Sequence, residues 1–129
     1  MILDSSAIVA ILLREPGYER LLDAIGAADT VSIGAPTVVE SGMVVSSRLG
    51  ESARDLTATM LREGGIGVVS FLEDHGIVAL DAFLRYGKGR HQANLNFGDC
   101  IAYAVATLAD EPLLFVCEDF RLTDIRPAL

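Results

Sequence analysis

The chain has 129 residues, of which 51% are hydrophobic and 22% are charged, a composition that predicts one folded domain over residues 1–129 and excludes an intrinsically disordered chain. No apolar run reaches the roughly 18 residues of a membrane span, and the N-terminus has no basic segment typical of a signal peptide, so we expect a cytoplasmic protein with no membrane partner. The formal net charge of −8 excludes a broadly basic surface, so binding of nucleic acid would require the basic residues to cluster away from the acids.

The first half of the chain predicts five elements. Apolar patterns typical of buried strands and amphipathic helices occur in the order strand, helix, helix, strand, helix, at residues 1–4, 6–13, 18–27, 30–33 and 36–49. Pro16 and Gly17 separate the first two helices. Pro36 lies in the first turn of the third helix, where proline is tolerated, and Gly50 ends that helix.

The second half predicts six more elements. Their order is helix, strand, helix, helix, strand, strand, at residues 51–63, 68–69, 73–86, 99–109, 113–116 and 124–126. Helix 99–109 is apolar on every side, which predicts that it is buried. Because strands alternate with helices along the chain, we expect an α/β fold with a central parallel sheet of four to five strands.

Two acids stand alone in the apolar first half. Asp4 is the only charged residue among the first thirteen, and it lies at the carboxyl end of a strand, where open α/β sheets bind ligands. Glu40 is the only acid between Thr30 and Gly50. Each also has a purely structural interpretation, since Asp4 could cap the next helix and Glu40 could be an exposed acid near a helix N-terminus.

Two more acids occupy corresponding places in the second half. Asp99 opens the apolar helix and is the only formally charged residue between Arg90 and Asp110. Asp119 follows the strand at 113–116, with Glu118 beside it. The structural alternatives are a helix cap for Asp99 and an ordinary loop carboxylate for Asp119.

Together the four acids predict a metal site. Parallel strands end at the same edge of a sheet, and two helices can bring Glu40 and Asp99 to that edge. Carboxylates that lie close together repel and need a cation. Oxygen ligands without His or Cys suit Mg²⁺ or Mn²⁺, which can activate water and stabilise a phosphoryl oxyanion. The two cysteines, Cys100 and Cys117, have no metal-ligand spacing, and we expect two buried thiols.

Four segments of the sequence resemble PIN-domain ribonucleases, and in particular the VapC toxins of type II VapBC toxin–antitoxin systems. They are MILDSSAIVAIL, PTVVES, YGKGRHQANLNFGDCIAYAVA and LLFVCEDFRLTDI, of which NFGDC after GKGRH is the most specific. The resemblance implies a three-layer α/β/α PIN-like fold and an Mg²⁺- or Mn²⁺-dependent endoribonuclease that cleaves a tRNA, an rRNA loop or a message. It implies that the metal-binding and catalytic acids are Asp4, Glu40, Asp99 and Asp119.

The resemblance also implies two supporting hydroxyl groups. Ser6 follows the first Asp by two residues, and Thr123 lies in the last loop. Ser6 could also cap a helix, and Thr123 could be an ordinary turn residue. The family often has Gly or another small residue near Cys117 and Glu118, so the presence of Glu118 leaves the assignment of the last acid open.

Three of the ten basic residues lie in an acid-free stretch that leads into Asp99; they are Arg85, Lys88 and Arg90. We predict that these three side chains contact the RNA backbone, despite the acidity of the whole chain. The alternative is a solvated loop whose charges have no special role.

The resemblance further implies a homodimer and a neutralising VapB-type antitoxin, together forming a heterotetramer or a larger assembly. A chain of net charge −8 attracts a basic partner segment, and helices 6–13 and 18–27 are candidate docking surfaces, although core packing explains part of their apolar character. A catalytically inactive PIN-like module that binds RNA or protein is the alternative function. A receiver domain would need an early acid pair and a late Lys, and an aspartyl phosphatase would need an acid at Ser6.

Overall fold

The computed structural model describes residues 1–129 as strands and helices that alternate along the chain. The six α-helices are α1 (Ser5–Leu12), α2 (Tyr18–Ala27), α3 (Ala35–Leu49), α4 (Ser52–Glu63), α5 (Glu73–Tyr86) and α6 (Phe97–Ala109). The four strands are β1 (Ile2–Leu3), β2 (Ser32–Gly34), β3 (Gly67–Val69) and β4 (Leu113–Leu114), and a 3₁₀ turn follows at Asp119–Leu122. No helix is both long enough and apolar enough to cross a membrane.

The four strands form one sheet in the order β3-β2-β1-β4, and every pair is parallel. Leu3 of β1 pairs with Ile33 on one side and with Leu114 on the other. The N-terminal strand is therefore central, and its carboxyl end lies between the carboxyl ends of β2 and β4. This arrangement brings the residues that follow these strands to one edge of the sheet.

Successive residues of the central strands face opposite layers of helices. Leu3 belongs to a core cluster that includes residues of α1 and α2, whereas Ile2 belongs to a second cluster that includes residues of α5 and α6. In β4, Leu114 belongs to the first cluster and Leu113 to the second. Because successive strand side chains point to opposite faces, helices cover both faces of the sheet. The predicted three-layer α/β/α architecture is confirmed.

Helix α6 is the most buried helix of the molecule. Its residues are buried without interruption from Gly98 to Ala106, as its apolar sequence predicted. It packs against α5 and α3 and contacts β1, β2 and β4. Since α6 begins at the sheet edge that carries the strand ends, its first turn is held firmly beside them.

The predicted last strand, residues 124–126, is wrong. Only an isolated parallel bridge joins Leu113 to Pro127, with the Leu113 N–H donating to the Arg126 carbonyl at 2.9 Å. Pro127 has no N–H and cannot extend a ladder. Immediately before it, the Thr123 hydroxyl accepts from the Ile125 N–H, so this segment satisfies its hydrogen bonds as a turn.

The predicted strand 113–116 is shorter than expected, since β4 ends at Leu114. Beyond that point the Val116 N–H donates to the Ser6 hydroxyl at 3.1 Å, and no neighbouring strand accepts it. The chain leaves the sheet here and passes over the start of α1. Ser6 therefore joins the exit of β4 to the edge where Asp4 lies.

Candidate metal centre

Asp4 ends β1 and caps α1. Its N–H donates to the Leu114 carbonyl at 2.9 Å, and its Oδ2 accepts from the N–H of Ser6 at 2.9 Å and from the Ser6 hydroxyl at 2.5 Å. Its Oδ1 is buried and has no hydrogen-bond partner. The side chain is only 1% exposed, and burial raises the pKa of this carboxyl, against the hydrogen bonds from Ser6 and Ser5, with a further increase from the charge of Asp119.

Glu40 reaches the same edge from α3. Its carboxylate lies so close to Gly98 that a Cβ at that position would overlap both carboxylate oxygens. Burial raises the pKa of Glu40, and the charges of Asp4 and Asp99 raise it further, while a hydrogen bond from Ser5 lowers it. Gly98 is therefore the residue that lets α3 and α6 bring their acids together.

Asp99 lies in the first turn of α6. Its Oδ2 accepts from the Asn96 N–H at 2.8 Å, and its own N–H donates to the Asn96 Oδ1 at 3.0 Å, a reciprocal capping box. Asp99 is only 8% exposed. Burial raises its pKa to about 6, opposed by the Asn96 N–H and reinforced by the charges of Asp4 and Asp119. The capping role and a role in the acidic site coexist in this residue.

Asp119 opens the 3₁₀ turn after β4, next to Asp99. A carboxylate oxygen of each acid and the Cys117 Sγ all lie within 4.8 Å of one another. Glu118 points elsewhere: its carboxylate pairs with Arg121 at 3.0 Å, and its side chain is 80% exposed. The structure thus places Asp119, and not Glu118, beside the other acids.

Cys117 is the residue of this site that the sequence did not predict. The expectation of two buried thiols holds for Cys100, but Cys117 is only half-buried and adjoins the acids. The pKa of the Cys117 thiol is raised to about 12, chiefly by burial and further by the charges of Asp4, Asp99 and Asp119. The sequence did contain one indication that Cys117 lies near the acids, because it follows β4 and precedes Asp119 by two residues.

The acids that converge at this edge come from four separate segments: Asp4, Glu40, Asp99 and Asp119. None of them forms an ion pair with a basic side chain. Their mutual repulsion and the unpaired Oδ1 of Asp4 are what a bound cation would relieve. A set of carboxylate oxygens suits a hard divalent ion such as Mg²⁺ or Mn²⁺.

The predicted supporting hydroxyl groups lie in different surroundings. Ser6 bonds directly to Asp4. The Thr123 hydroxyl donates to the Phe120 carbonyl at 2.7 Å and accepts from the Ile125 N–H at 3.2 Å. Thr123 therefore holds the turn that follows Asp119 and forms no hydrogen bond with any of the acids.

The predicted basic residues differ in how freely they can bind a ligand. Arg85 pairs with Asp124 at 3.0 Å and stacks over Tyr86. Lys88 is exposed and forms no salt bridge, and Arg90 lies over the Phe83 ring at 5.5 Å. Lys88 and Arg90 therefore remain available to phosphate groups, whereas Arg85 already has a carboxylate partner.

Comparison with known proteins identifies the class that this fold and this cluster of acids define. The PIN domain profile matches residues 1–125, so the chain belongs to the PIN domain family. Among its relatives is Ribonuclease VapC36 of Mycobacterium tuberculosis, which is 44% identical over 126 residues that cover 97% of this chain and 91% of that protein. The chain is therefore a VapC-type PIN domain, and the resemblance inferred from its motifs is confirmed.

Two solved structures share this fold. The crystal structure of Mycobacterium tuberculosis VapC20, a sarcin–ricin loop cleaving toxin, superposes with a TM-score of 0.76 at 16% identity over 98% of both chains. A toxin–antitoxin complex from Klebsiella pneumoniae gives a TM-score of 0.67 at 16% identity, covering 92% of this chain and 88% of that one. At these identities the likeness concerns the fold alone.

Proposed function

We propose that the chain is a metal-dependent endoribonuclease toxin that a VapB-type antitoxin neutralises. The observation that carries the proposal is the convergence of four unpaired carboxylates at one sheet edge of a VapC-type PIN domain. The ribonuclease name of the VapC36 relative supports RNA as the substrate. Mapping of RNA ends after induced expression would identify whether the substrate is a tRNA, an rRNA loop or a message.

The metal-binding residues in this proposal are Asp4, Glu40, Asp99 and Asp119. An Mg²⁺ or Mn²⁺ ion held there would supply the charge that activates water and stabilises the phosphoryl oxygen during hydrolysis. Ser6 fixes the orientation of the Asp4 carboxylate by two hydrogen bonds. The Asn96 N–H does the same for Asp99. Because these carboxylates are held before any ligand arrives, little reorganisation is needed on binding.

Lys88 and Arg90 are the proposed contacts to the RNA backbone. Both are exposed, and they lie in the connection that leads from α5 into the first turn of α6, where Asp99 sits. Backbone hydrogen bonds hold this connection in place, among them Lys88 N–H to the Leu95 carbonyl at 2.9 Å. A fixed basic segment in the connection that leads to Asp99 can position phosphates for cleavage. Arg85 contributes less in this proposal because Asp124 neutralises it.

The proposed assembly is a homodimer that binds its antitoxin as a heterotetramer or a larger complex. The toxin–antitoxin complex of similar fold supports an antitoxin partner, and the net charge of −8 favours a basic segment in it. Residues of α5 that are more than half exposed support a further interface; they are Ile77, Leu80 and Leu84. Of the two helices predicted to dock the antitoxin, α2 buries only Leu21 and has more free surface.

The test is RNA cleavage by the purified chain freed of any antitoxin, with Mg²⁺ or Mn²⁺ and with excess EDTA. We expect cleavage that requires the metal and disappears in Asp119→Asn. Glu118→Gln is the matched control, because it removes the neighbouring charge on a side chain that faces Arg121, and it should cleave normally. Full cleavage in EDTA would contradict the mechanism, and RNA binding without cleavage under all conditions would indicate an inactive PIN-like module.

A further inference from the structure

The acidic site contains one ligand atom that a hard cation does not use. The Cys117 Sγ lies within 4.8 Å of carboxylate oxygens of Asp99 and Asp119, and these two oxygens lie within the same distance of each other. Cys117 forms no disulfide and is half-buried. Three donor atoms from α6 and from the segment after β4 thus surround one small volume.

A second observation comes from Asp4, which belongs to the same acidic site. The Asp4 carboxylate is 1% exposed and its Oδ1 has no hydrogen-bond partner. Asp4 lies beside the thiol, since its charge has the largest electrostatic effect on the Cys117 pKa. The Ser6 hydroxyl, which donates to Asp4 Oδ2, accepts from the N–H of Val116, the residue before Cys117. A buried carboxylate with one unpartnered oxygen therefore adjoins the segment that carries Cys117.

We infer that Cys117, Asp99 and Asp119 form a binding site for a thiophilic divalent cation such as Zn²⁺, and that this cation inhibits the nuclease by displacing the hard one. Thiolate ligands select zinc over magnesium, and oxygen ligands alone do not. Three protein ligands leave one tetrahedral position for water. Binding forms a zinc–sulfur bond and releases the thiol proton to the solvent. The inference rests on the proposed function, because it concerns regulation of the same site.

The geometry requires only a small closure of the site. Ligand atoms of a tetrahedral zinc site lie about 3.5 Å apart, given bonds of about 2.0–2.3 Å. The three atoms need to approach by roughly 1 Å from a limit of 4.8 Å. Cys117 and Asp119 lie outside regular helix and strand, in the bend after β4 and at the start of the 3₁₀ turn, so this approach does not disturb the sheet.

Co²⁺ tests the inference because its spectrum reports both occupancy and thiolate ligation. We expect the metal-free chain to bind Co²⁺ with a near-ultraviolet sulfur-to-cobalt charge-transfer band that one equivalent of Zn²⁺ removes. Cys117→Ser should lose the band, and its Zn²⁺ affinity should fall by at least about tenfold. Cys100→Ala is the matched control, because it removes the other thiol, which is buried, and it should keep the band.

The outcomes separate this inference from the proposed function. Co²⁺ binding without a charge-transfer band, or a band that survives in Cys117→Ser, would overturn the thiolate site and leave the carboxylate site intact. Failure to bind Co²⁺, Zn²⁺ or Mn²⁺ in calorimetry would overturn both. For the inhibitory role, Zn²⁺ should suppress cleavage of RNA in the presence of excess Mg²⁺. Undiminished cleavage at saturating Zn²⁺ would overturn that role.

Discussion

At the scale of single residues, Asp99 has a favourable hydrogen bond and an unfavourable charge at the same time. The Asn96 N–H holds its carboxylate, but burial and neighbouring acids raise its pKa to about 6. In the metal-free protein, stability attributable to Asp99 is therefore present at low pH and falls as the pH rises from about 4 through 6. At neutral pH the ionised group destabilises the fold.

Asp99→Asn should remove this charge while an amide oxygen continues to accept from Asn96. At pH 7.5 and without metal, we expect the free energy of unfolding to increase by about 1–2 kcal/mol, less than the roughly 3 kcal/mol that the pKa shift corresponds to, because water in the site screens the charge. Cleavage should be lost. Denaturant unfolding together with an RNA assay measures both effects.

Asp99→Ala provides the comparison that separates charge from capping. It removes the charge and also the hydrogen bond to Asn96, so it should be about 1 kcal/mol less stable than Asp99→Asn. A metal-free Asp99→Asn protein that is no more stable than the parent at pH 7.5, with cleavage retained, would mean that Asp99 acts only as a cap.

Gly98 offers a test of the position of the Glu40 carboxylate. A methyl group in Gly98→Ala would overlap the carboxylate oxygens of Glu40, and the end of that flexible side chain would have to move. We expect stability to change by less than about 1 kcal/mol, since Ala favours a helix over Gly, but cleavage to fall sharply. Melting curves and cleavage rates of the same preparation distinguish the two quantities.

Gly76→Ala is the matched control for Gly98→Ala. Gly76 also lies within a helix, α5, and a Cβ there meets nothing within 4 Å. The variant should be as stable as the parent or slightly more so, with unchanged cleavage. Equal cleavage by the two glycine variants would contradict the proposed role of Glu40.

The sequence predicted which acids lie at this edge but not how their side chains are arranged. Asp4 and Asp99 stood out because each is alone in an apolar stretch, and such a charge requires a partner. The closeness of Glu40 to Gly98 depends on how α3 packs against α6, which no local pattern specifies. Cys117 was missed for a related reason: a thiol is compatible both with a core and with a site, and only its orientation distinguishes them.

At the scale of elements, the strength of the local pattern determined what could be predicted. Helix α5 has the predicted bounds 73–86, because its apolar residues repeat with helical spacing and Gly87 follows it. The strands have only two or three residues, and so short a strand has little pattern. The first and fourth were predicted too long, the second was displaced, and the third was predicted one residue too short. The false strand at 124–126 arose because Thr123 and Pro127 satisfy the backbone by a turn and a single bridge.

The connection between α5 and α6 carries the prediction about RNA binding. Lys88→Ala and Arg90→Ala should each weaken RNA binding and reduce the slope of log affinity against log salt by about one unit. Arg85→Ala should have a smaller effect, because Arg85 is paired with Asp124. Fluorescence titrations at several salt concentrations measure these slopes.

Arg62→Ala is the control for non-specific loss of positive charge. Arg62 is exposed on α4, and its only ion pair, with Glu63, is long at 3.8 Å. Its removal should leave the salt slope unchanged. If Lys88→Ala and Arg90→Ala also leave the slope unchanged, then RNA binds to a different face of the molecule.

At the scale of the whole molecule, the fold holds several negative charges close together, and protonation of these acids would remove the repulsion between them. The pKa values of Asp4, Glu40 and Asp99 are all raised, so protonating these groups stabilises the metal-free fold. The pKa values of Glu111 and Asp124 are lowered by the N-terminal amine and by Tyr103 with Arg85. Their contribution is lost only as the pH falls below their ordinary values, near 4.

We therefore expect the metal-free protein to melt at a higher temperature at pH 5.5 than at pH 7.5. Millimolar Mg²⁺ or Mn²⁺ should raise the melting temperature strongly at pH 7.5 and weakly at pH 5.5, because the cation binds ionised carboxylates. Differential scanning fluorimetry in both buffers, with and without EDTA, provides the measurement. A metal-free protein that is more stable at pH 7.5 would show that these acids do not repel one another as described.

The pairing of β1 with β4 also bears on when the molecule becomes active during its synthesis. Leu3 pairs with Leu114, so β1 is synthesised well before the neighbouring strand with which it pairs. A ribosome that adds about 5–20 residues per second needs roughly 6–23 s to pass from Asp4 to Asp119. Throughout that interval the nascent chain holds some of its acids but not the site. A nuclease of this topology cannot attack RNA around its own ribosome until β4 has emerged and docked beside β1.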